Sequence, residues 1–177
     1  MPLHALPTIC RGVMKRFSRV IPLLAAVAVA LPLAACGGNK DDQPELTPAQ
    51  FMDNVRKQPG VQTLPDGLAY KVLKSGPKDG AQPTINDSVM VIYEGRLPDG
   101  GIFDSSEQHG HGAYMQMPLE MVIKGWQEAL PKMHVGDTWM LYVPPELGYG
   151  HKSMGIIQPD SPLIFKIQLL GVSPSGH

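Results

Sequence analysis

Val91-Ile92-Tyr93-Glu94-Gly95-Arg96-Leu97-Pro98-Asp99-Gly100-Gly101-Ile102-Phe103-Asp104-Ser105-Ser106 is the stretch on which the reading of the fold turns. Its first part, taken from Ser88, alternates strictly. Val89, Val91 and Tyr93 fall on one face, which predicts a strand over Ser88–Arg96. Leu97–Gly101 gathers Pro, Asp and two Gly, the residues that let a chain reverse within a hairpin. Asp104 precedes two serines. By position alone it reads equally as a turn-capping carboxylate or as a functional acid.

Outward from this hairpin the same period recurs. Leu68–Leu73 alternates and runs into Ser75-Gly76-Pro77. Thr138–Val143 sets Trp139, Leu141 and Val143 on one face, and Leu163–Leu170 does the same with Leu163, Phe165, Ile167 and Leu169. Gln127-Glu128-Ala129-Leu130 predicts a single short helix just after Trp126. Strands that are apolar on one side, with one helix to cover, predict an antiparallel sheet packed on that helix in an α+β fold. Eighteen prolines and nineteen glycines fit a turn-rich β protein. No internal repeat is visible.

Periodicity alone stops at an α+β domain. The opening stretch is followed by Val122-Ile123-Lys124-Gly125-Trp126-Gln127-Glu128-Ala129-Leu130 and then by Val143-Pro144-Pro145-Glu146-Leu147-Gly148-Tyr149-Gly150. Gly155-Ile156-Ile157-Gln158-Pro159-Asp160-Ser161-Pro162-Leu163-Ile164-Phe165 closes the series and runs on to Leu170. In order and spacing these four motifs resemble the FKBP family of macrolide-binding peptidyl-prolyl cis-trans isomerases, and Pro65–Leu73 is similar to the lead-in of its secreted bacterial members. The resemblance spans a domain drawn at 61–172. It implies an antiparallel β-sheet wrapped around one short α-helix, and the activity of a prolyl isomerase, or rotamase.

That chemistry makes unusual demands. An X–Pro bond isomerises over a barrier of about 18–20 kcal/mol that arises from amide resonance. The twisted amide has less C–N double-bond character and a smaller carbonyl dipole than the planar one, so a dry apolar pocket favours it. A gain of about 10⁴ in rate needs only about 5.5 kcal/mol. No nucleophile, metal, cofactor or proton transfer is required. The resemblance assigns Trp126 to the pocket floor, under the proline ring. It assigns Tyr93, Phe103, Val122, Ile123 and Phe165 to the walls, and Asp104 as acceptor for the Tyr93 hydroxyl. Tyr149 and the Ile123 N–H become donors to a substrate carbonyl, and Ile156 and Ile157 the lip of an overhanging loop. Read singly, Tyr93, Val122, Trp126 and Phe165 are ordinary core residues; the joint pattern assigns them to the pocket.

The departures from the family pattern bear on specificity. His109 and Ala113 stand where eukaryotic members often carry an arginine and an aromatic, so the pocket is expected to be more open there. Met121 replaces a common glutamate at a position that acts through its backbone carbonyl. The loop Gly150-His151-Lys152-Ser153-Met154 reaches Ile156 with one residue fewer than usual, and Met154 stands where histidine or valine is frequent. Met121, His109 and Met154 thus join the substrate-binding set. His109, His111 and His151 lack the spacing and third ligand of a zinc site, so no metal is expected. Met115, Met117, Met121, Met133, Met140 and Met154 read as adaptable apolar packing.

The amino-terminal region belongs to targeting. Arg11, Lys15, Arg16 and Arg19 precede Cys36 with no acid among them, whereas from Cys36 onward eleven Lys and Arg face sixteen Asp and Glu. A mildly acidic chain without a basic stripe argues against nucleic acid. From Met14, basic residues lead into an apolar run, Val20 to Ala35, broken by Pro22 and Pro32, which is the layout of a secretory signal. The run is shorter than the about 20 residues that span a bilayer. Leu33-Ala34-Ala35-Cys36 resembles the lipobox of bacterial lipoproteins. This implies a signal segment over 1–35, with a natural start at Met14, cut before a diacylglycerated Cys36. Several acyl chains anchor a protein stably. Cys10 falls upstream of that start, so no disulfide framework is expected.

Residues 36–60 are expected to be a flexible linker holding a short helix, roughly Pro48–Lys57. Thr47 would be its N-cap, Phe51 and Val55 one face and Pro59-Gly60 its end. So short an arm predicts a monomer. Residues 173–177 read as a disordered tail. The resulting expectation is a lipid-anchored, extracytoplasmic isomerase acting on proline-containing unfolded or partly folded polypeptides, with macrolides as candidate inhibitors. Gly37 after the lipidated cysteine suits an outer membrane, facing the periplasm, in a Gram-negative host. The alternative is a non-catalytic chaperone or protein-binding module of the same fold on a lipid tether.

Overall fold

The structure, a computed structural model, describes residues 46–110 and 113–174. By backbone proximity the chain divides into two units, Met1–Asp42 and Gln43–His177. The signal segment 1–35, Cys36, His111 and the end of the tail lie outside the described residues.

Helix α1 (Pro48–Arg56) opens the described chain. Thr47 caps it reciprocally: its hydroxyl accepts from the Gln50 N–H, and the Gln50 side chain accepts from the Thr47 N–H at 3.0 Å. Met52 and Val55 are buried with Ala69, against Phe51, Val61 and Tyr142. Each such buried side chain contributes about 1.5–3 kcal/mol. Residues 46–60 are therefore not a free tether: the helix expected there lies on the sheet.

Among the described residues the sheet has seven strands: β1 (Val61–Thr63), β2 (Ala69–Lys74), β3 (Ser88–Arg96), β4 (Ile102–Ser105), β5 (Met115–Pro118), β6 (Thr138–Val143) and β7 (Leu163–Ser173). Their order is β1-β2-β6-β7-β3-β4, with β5 also pairing β3, and every pairing is antiparallel. The alternation read from the sequence holds. Val89, Val91 and Tyr93 of β3, Trp139, Leu141 and Val143 of β6, and Leu163, Phe165, Ile167 and Leu169 of β7 all enter one core. The turn after β3 closes through Gly100 N–H to Leu97 C=O at 2.9 Å, with Gly100 at φ +90°, where a Cβ would be strained.

Helix α2 (Lys124–Ala129) presents Trp126 and Ala129 to that core. It starts before Trp126, not after it, with Ile123 as N-cap, and gives way at Leu130–Lys132 to one 3₁₀ turn around Pro131, which has no N–H to continue the helix. β7 continues to Ser173 because Met90, Val89 and Ser88 of β3 still pair with Gly171, Val172 and Ser173. The tail expected from 173 thus loses its first residue to the sheet. β1, β4 and β5, at three or four residues each, had no expectation from periodicity.

Candidate active site

β3 is paired along one edge with β7 over its whole length; along the other, β5 pairs Ser88–Val91 and β4 pairs Glu94–Arg96, which leaves Ile92 and Tyr93 at the gap between them. Register sets Asp104 of β4, Gly95 of β3 and Phe165 of β7 in one row. Gly95 leaves the middle of that row without a side chain. A Cβ there would stand 2.6 Å from Phe103 Cζ and 3.0 Å from Phe165 Cε1. Its absence lets the two rings meet edge to face, with centroids 5.5 Å apart. Trp126 joins them from α2, edge-on to Phe165 at 5.3 Å and to Tyr93 at 5.2 Å. Such pairs contribute about 0.5–1.5 kcal/mol each beyond burial.

These rings surround an open cavity of about 270 Å³. Tyr93, Phe103, Asp104 and Phe165 line it from the sheet, with Met117 from β5 and Trp126 from α2. Met121, Val122 and Ile123 come from the turn before α2, and Tyr149 from the segment after β6. That turn is fixed to the helix: the Gln127 side-chain amide donates to Val122 C=O at 2.8 Å and to Glu120 C=O at 3.0 Å. Ser106, fully buried, accepts from the Tyr93 N–H at 3.3 Å and donates to the Tyr93 C=O, which pins the centre of β3.

The Tyr93 hydroxyl donates to Asp104 Oδ2 at 2.6 Å. Burial, then this hydrogen bond, then the charges of Asp104 and Tyr149 raise the Tyr93 phenol well above its ordinary value. Burial and the Asp104 charge raise the Tyr149 phenol as well. Both remain protonated donors near neutrality. The Tyr93 donor is spent on Asp104. The Tyr149 hydroxyl and the Ile123 N–H form no hydrogen bond among the described residues. The lining thus offers aromatic and aliphatic surface, two unspent donors and one carboxylate, with no nucleophile and base in contact. A second depression, about 200 Å³, lies over Glu94, Glu107, Lys166 and Gln168. It mixes Ile92 and Tyr93 with charged and polar side chains and lacks the cluster of aromatic rings that surrounds the first cavity.

Of the residues singled out from sequence, Tyr93, Phe103, Asp104, Met121, Val122, Ile123, Trp126, Tyr149 and Phe165 share the cavity. His109 does not line it; its Nε2 lies 3.0 Å from Asp104 Oδ1, behind the wall. Met154, Ile156 and Ile157 do not line it either. Met154 and Ile157 exchange backbone hydrogen bonds of 3.0 and 2.9 Å, which fold the loop on itself. Ile157 thereby turns into the core, and Met154 and Ile156 stay exposed. Met117, Gly95 and Ser106 were missed. For Met117 the sequence offered only the three-residue alternation Met115-Gln116-Met117, too short to mark a strand. Among the described residues, no cluster of three or more His, Cys, Asp or Glu side chains is placed to hold a metal ion.

Residues 80–170 match the sequence profile of the FKBP-type peptidyl-prolyl cis-trans isomerases. The chain is 50% identical over 123 residues to the peptidyl-prolyl cis-trans isomerase Mip of Coxiella burnetii, covering 69% of this chain and 52% of that protein. It is 45% identical over 127 residues to the outer membrane protein MIP of Legionella longbeachae, covering 71% and 53%. It thus spans about half the length of these curated relatives. Among solved structures it is similar to a peptidyl-prolyl cis-trans isomerase from Pseudomonas syringae, with TM-score 0.65, 40% identity and coverage of 71% of this chain and 90% of that one. It is also similar to FkpA of Escherichia coli, with TM-score 0.68, 36% identity and coverage of 73% and 59%.

Proposed function

The chain belongs to the FKBP-type peptidyl-prolyl cis-trans isomerase family, and from that membership we propose that it is an active prolyl isomerase whose reaction takes place in the aromatic cavity. The observation that carries this reading is the pairing of a Trp126–Phe165–Phe103 ring cluster with two unspent donors on the same lining. The proline ring enters over Trp126. The walls exclude water from the amide, which favours the twisted form with its smaller dipole over the planar one. Tyr149 O–H and Ile123 N–H hold the flanking carbonyls, so that rotation occurs about one fixed segment. Tyr93 and Asp104 act as wall and brace: the hydrogen bond between them occupies the one carboxylate of the lining and stops it from drawing water inward.

The substrate class that fits is a proline-containing stretch of unfolded or partly folded polypeptide, because the cavity is open and takes in little beyond the proline. We place the protein on a bacterial membrane through a lipidated Cys36, with the isomerase domain outside the cytoplasm. The sequence Leu33-Ala34-Ala35-Cys36 supports that anchor, and so does the outer-membrane name of the Legionella relative.

The test is a protease-coupled isomerisation assay on peptides that vary the residue before proline, run alongside metabolic lipid labelling of the full chain and of Cys36→Ala. Isomerisation well above the uncatalysed rate, with lipid on the wild type alone, is expected. Turnover equal to the uncatalysed rate for every peptide would instead leave a binding module.

A further inference from the structure

One carboxylate in this site is held from two sides. Asp104 Oδ2 accepts from the Tyr93 hydroxyl at 2.6 Å, and Asp104 Oδ1 lies 3.0 Å from His109 Nε2. Tyr93 is nearly buried and meets the edge of Trp126. His109, at the end of the 3₁₀ turn Ser106–His109, is half-exposed. A continuous chain of contacts therefore runs from solvent through His109, Asp104 and Tyr93 to the Trp126 floor. Among the described residues Asp104 has no lysine or arginine partner, so this imidazole is the one group other than Tyr93 that fixes its rotamer.

We propose that His109 is a positioning residue of the site: it touches no substrate, but holds Asp104, and through it Tyr93, in the geometry that binds the proline segment. This rests on the isomerase reading for its substrate, though not for its geometry. A carboxylate anchored at one oxygen only can turn about its χ angles. Anchored at both, it keeps its acceptor under the Tyr93 hydroxyl. The consequence is for binding more than for the rotation step, because the twisted amide contacts the rings, not the carboxylate.

The experiment compares wild type, His109→Ala and His109→Gln, each alone and combined with Asp104→Asn. It measures kcat and KM for one proline peptide, and the Kd of the same peptide by calorimetry. Glutamine keeps a side-chain N–H donor. For His109→Ala we expect KM and Kd to rise about threefold to tenfold with kcat changed less than about twofold. His109→Gln should recover most of that loss. In the Asp104→Asn background the His109 substitutions should have no further effect. Wild-type KM and Kd in His109→Ala would overturn the assignment, and so would an undiminished effect of His109→Ala when Asp104 is already Asn. A wild type that binds the peptide but does not turn it over would refute the isomerase reading alone, since the Kd arm still decides the role of His109.

Discussion

The two tryptophans are alike in burial and differ in what surrounds them. Trp126 is 4% exposed and Trp139 5%, both lie in the same core, and the indole N–H of each has no partner among the described residues. Trp139, on β6, lies flat on Tyr70 of β2, with centroids 4.4 Å apart and planes 8° from parallel. Trp126 meets the rings of Tyr93 and Phe165 at 82° and also lines an open cavity. A buried indole N–H without an acceptor costs about 1–3 kcal/mol. The fold bears that cost at both positions, but only Trp126 also lines a space that a ligand can fill. Burial alone does not separate a site residue from a core residue; an adjoining cavity does.

The largest effect should come from breaking that pair of residues in turn. Trp126→Ala and Trp139→Ala each remove a large core side chain and should lose about 3–5 kcal/mol of stability. Their activities should part company. In the milder Trp126→Leu, kcat/KM for a proline peptide should fall about thirtyfold, while Trp139→Leu, assayed well below its unfolding midpoint, should stay within about threefold of wild type. Chemical denaturation and the isomerase assay on the same preparations read both quantities. Equal losses of activity at the two positions would mean that the cavity beside Trp126 has no special role.

Asp104→Leu sharpens the comparison from the wall beside Trp126. It frees the Tyr93 hydroxyl without opening the core, and should lower kcat/KM about tenfold while the domain stays folded, as checked by circular dichroism. Tyr149→Phe deletes one unspent donor. Since a net hydrogen bond contributes roughly 0.5–1.5 kcal/mol, only a few-fold loss in kcat/KM is expected, with no loss of stability, because that hydroxyl bonds no described residue.

The smallest effect is on pH dependence of stability. In the folded chain the Tyr93 proton is retained by burial first and by Asp104 second. The unfolded chain releases it near the ordinary tyrosine value of about 10, and the folded chain only above that. Through this window the unfolded state holds fewer protons than the native one, so stability falls as pH rises. The contribution is whole below about pH 10 and shrinks above it. Urea midpoints should therefore be flat from pH 7 to 9 on this account and drop toward pH 11. Tyr93→Phe should be less stable at neutral pH and drop less steeply. Tyr142 and Tyr149, also raised by burial, supply the remaining slope.

What could be read from the sequence divides along the same line. Long one-sided strands announce themselves: β3 and β6 run between the residues that alternation selects, because a sheet with one buried face forces period two over six to nine residues. Short elements have too few residues to alternate, so β1, β4 and β5 could not be read, although Phe103 and Asp104 sit on one and Met117 on another. The cavity residues on regular elements, Tyr93, Phe165 and Trp126, followed from the family motifs. The loop residues Met154, Ile156 and Ile157 did not, because a local pair of hydrogen bonds between Met154 and Ile157 decides where they point. Gly95 was quoted within a motif, but its function is a vacancy between two rings, which only strand register reveals.

The central claim is that the cavity over Trp126 lowers the barrier to rotation about an X–Pro bond. Exchange NMR on a proline peptide tests it most directly, with the soluble domain present at a small fraction of the peptide concentration. The account predicts cis–trans exchange cross-peaks within hundreds of milliseconds, abolished in proportion by Trp126→Leu and unaffected by Trp139→Leu. Exchange no faster than the tens to hundreds of seconds of the free peptide, in the presence of demonstrable peptide binding, would contradict it.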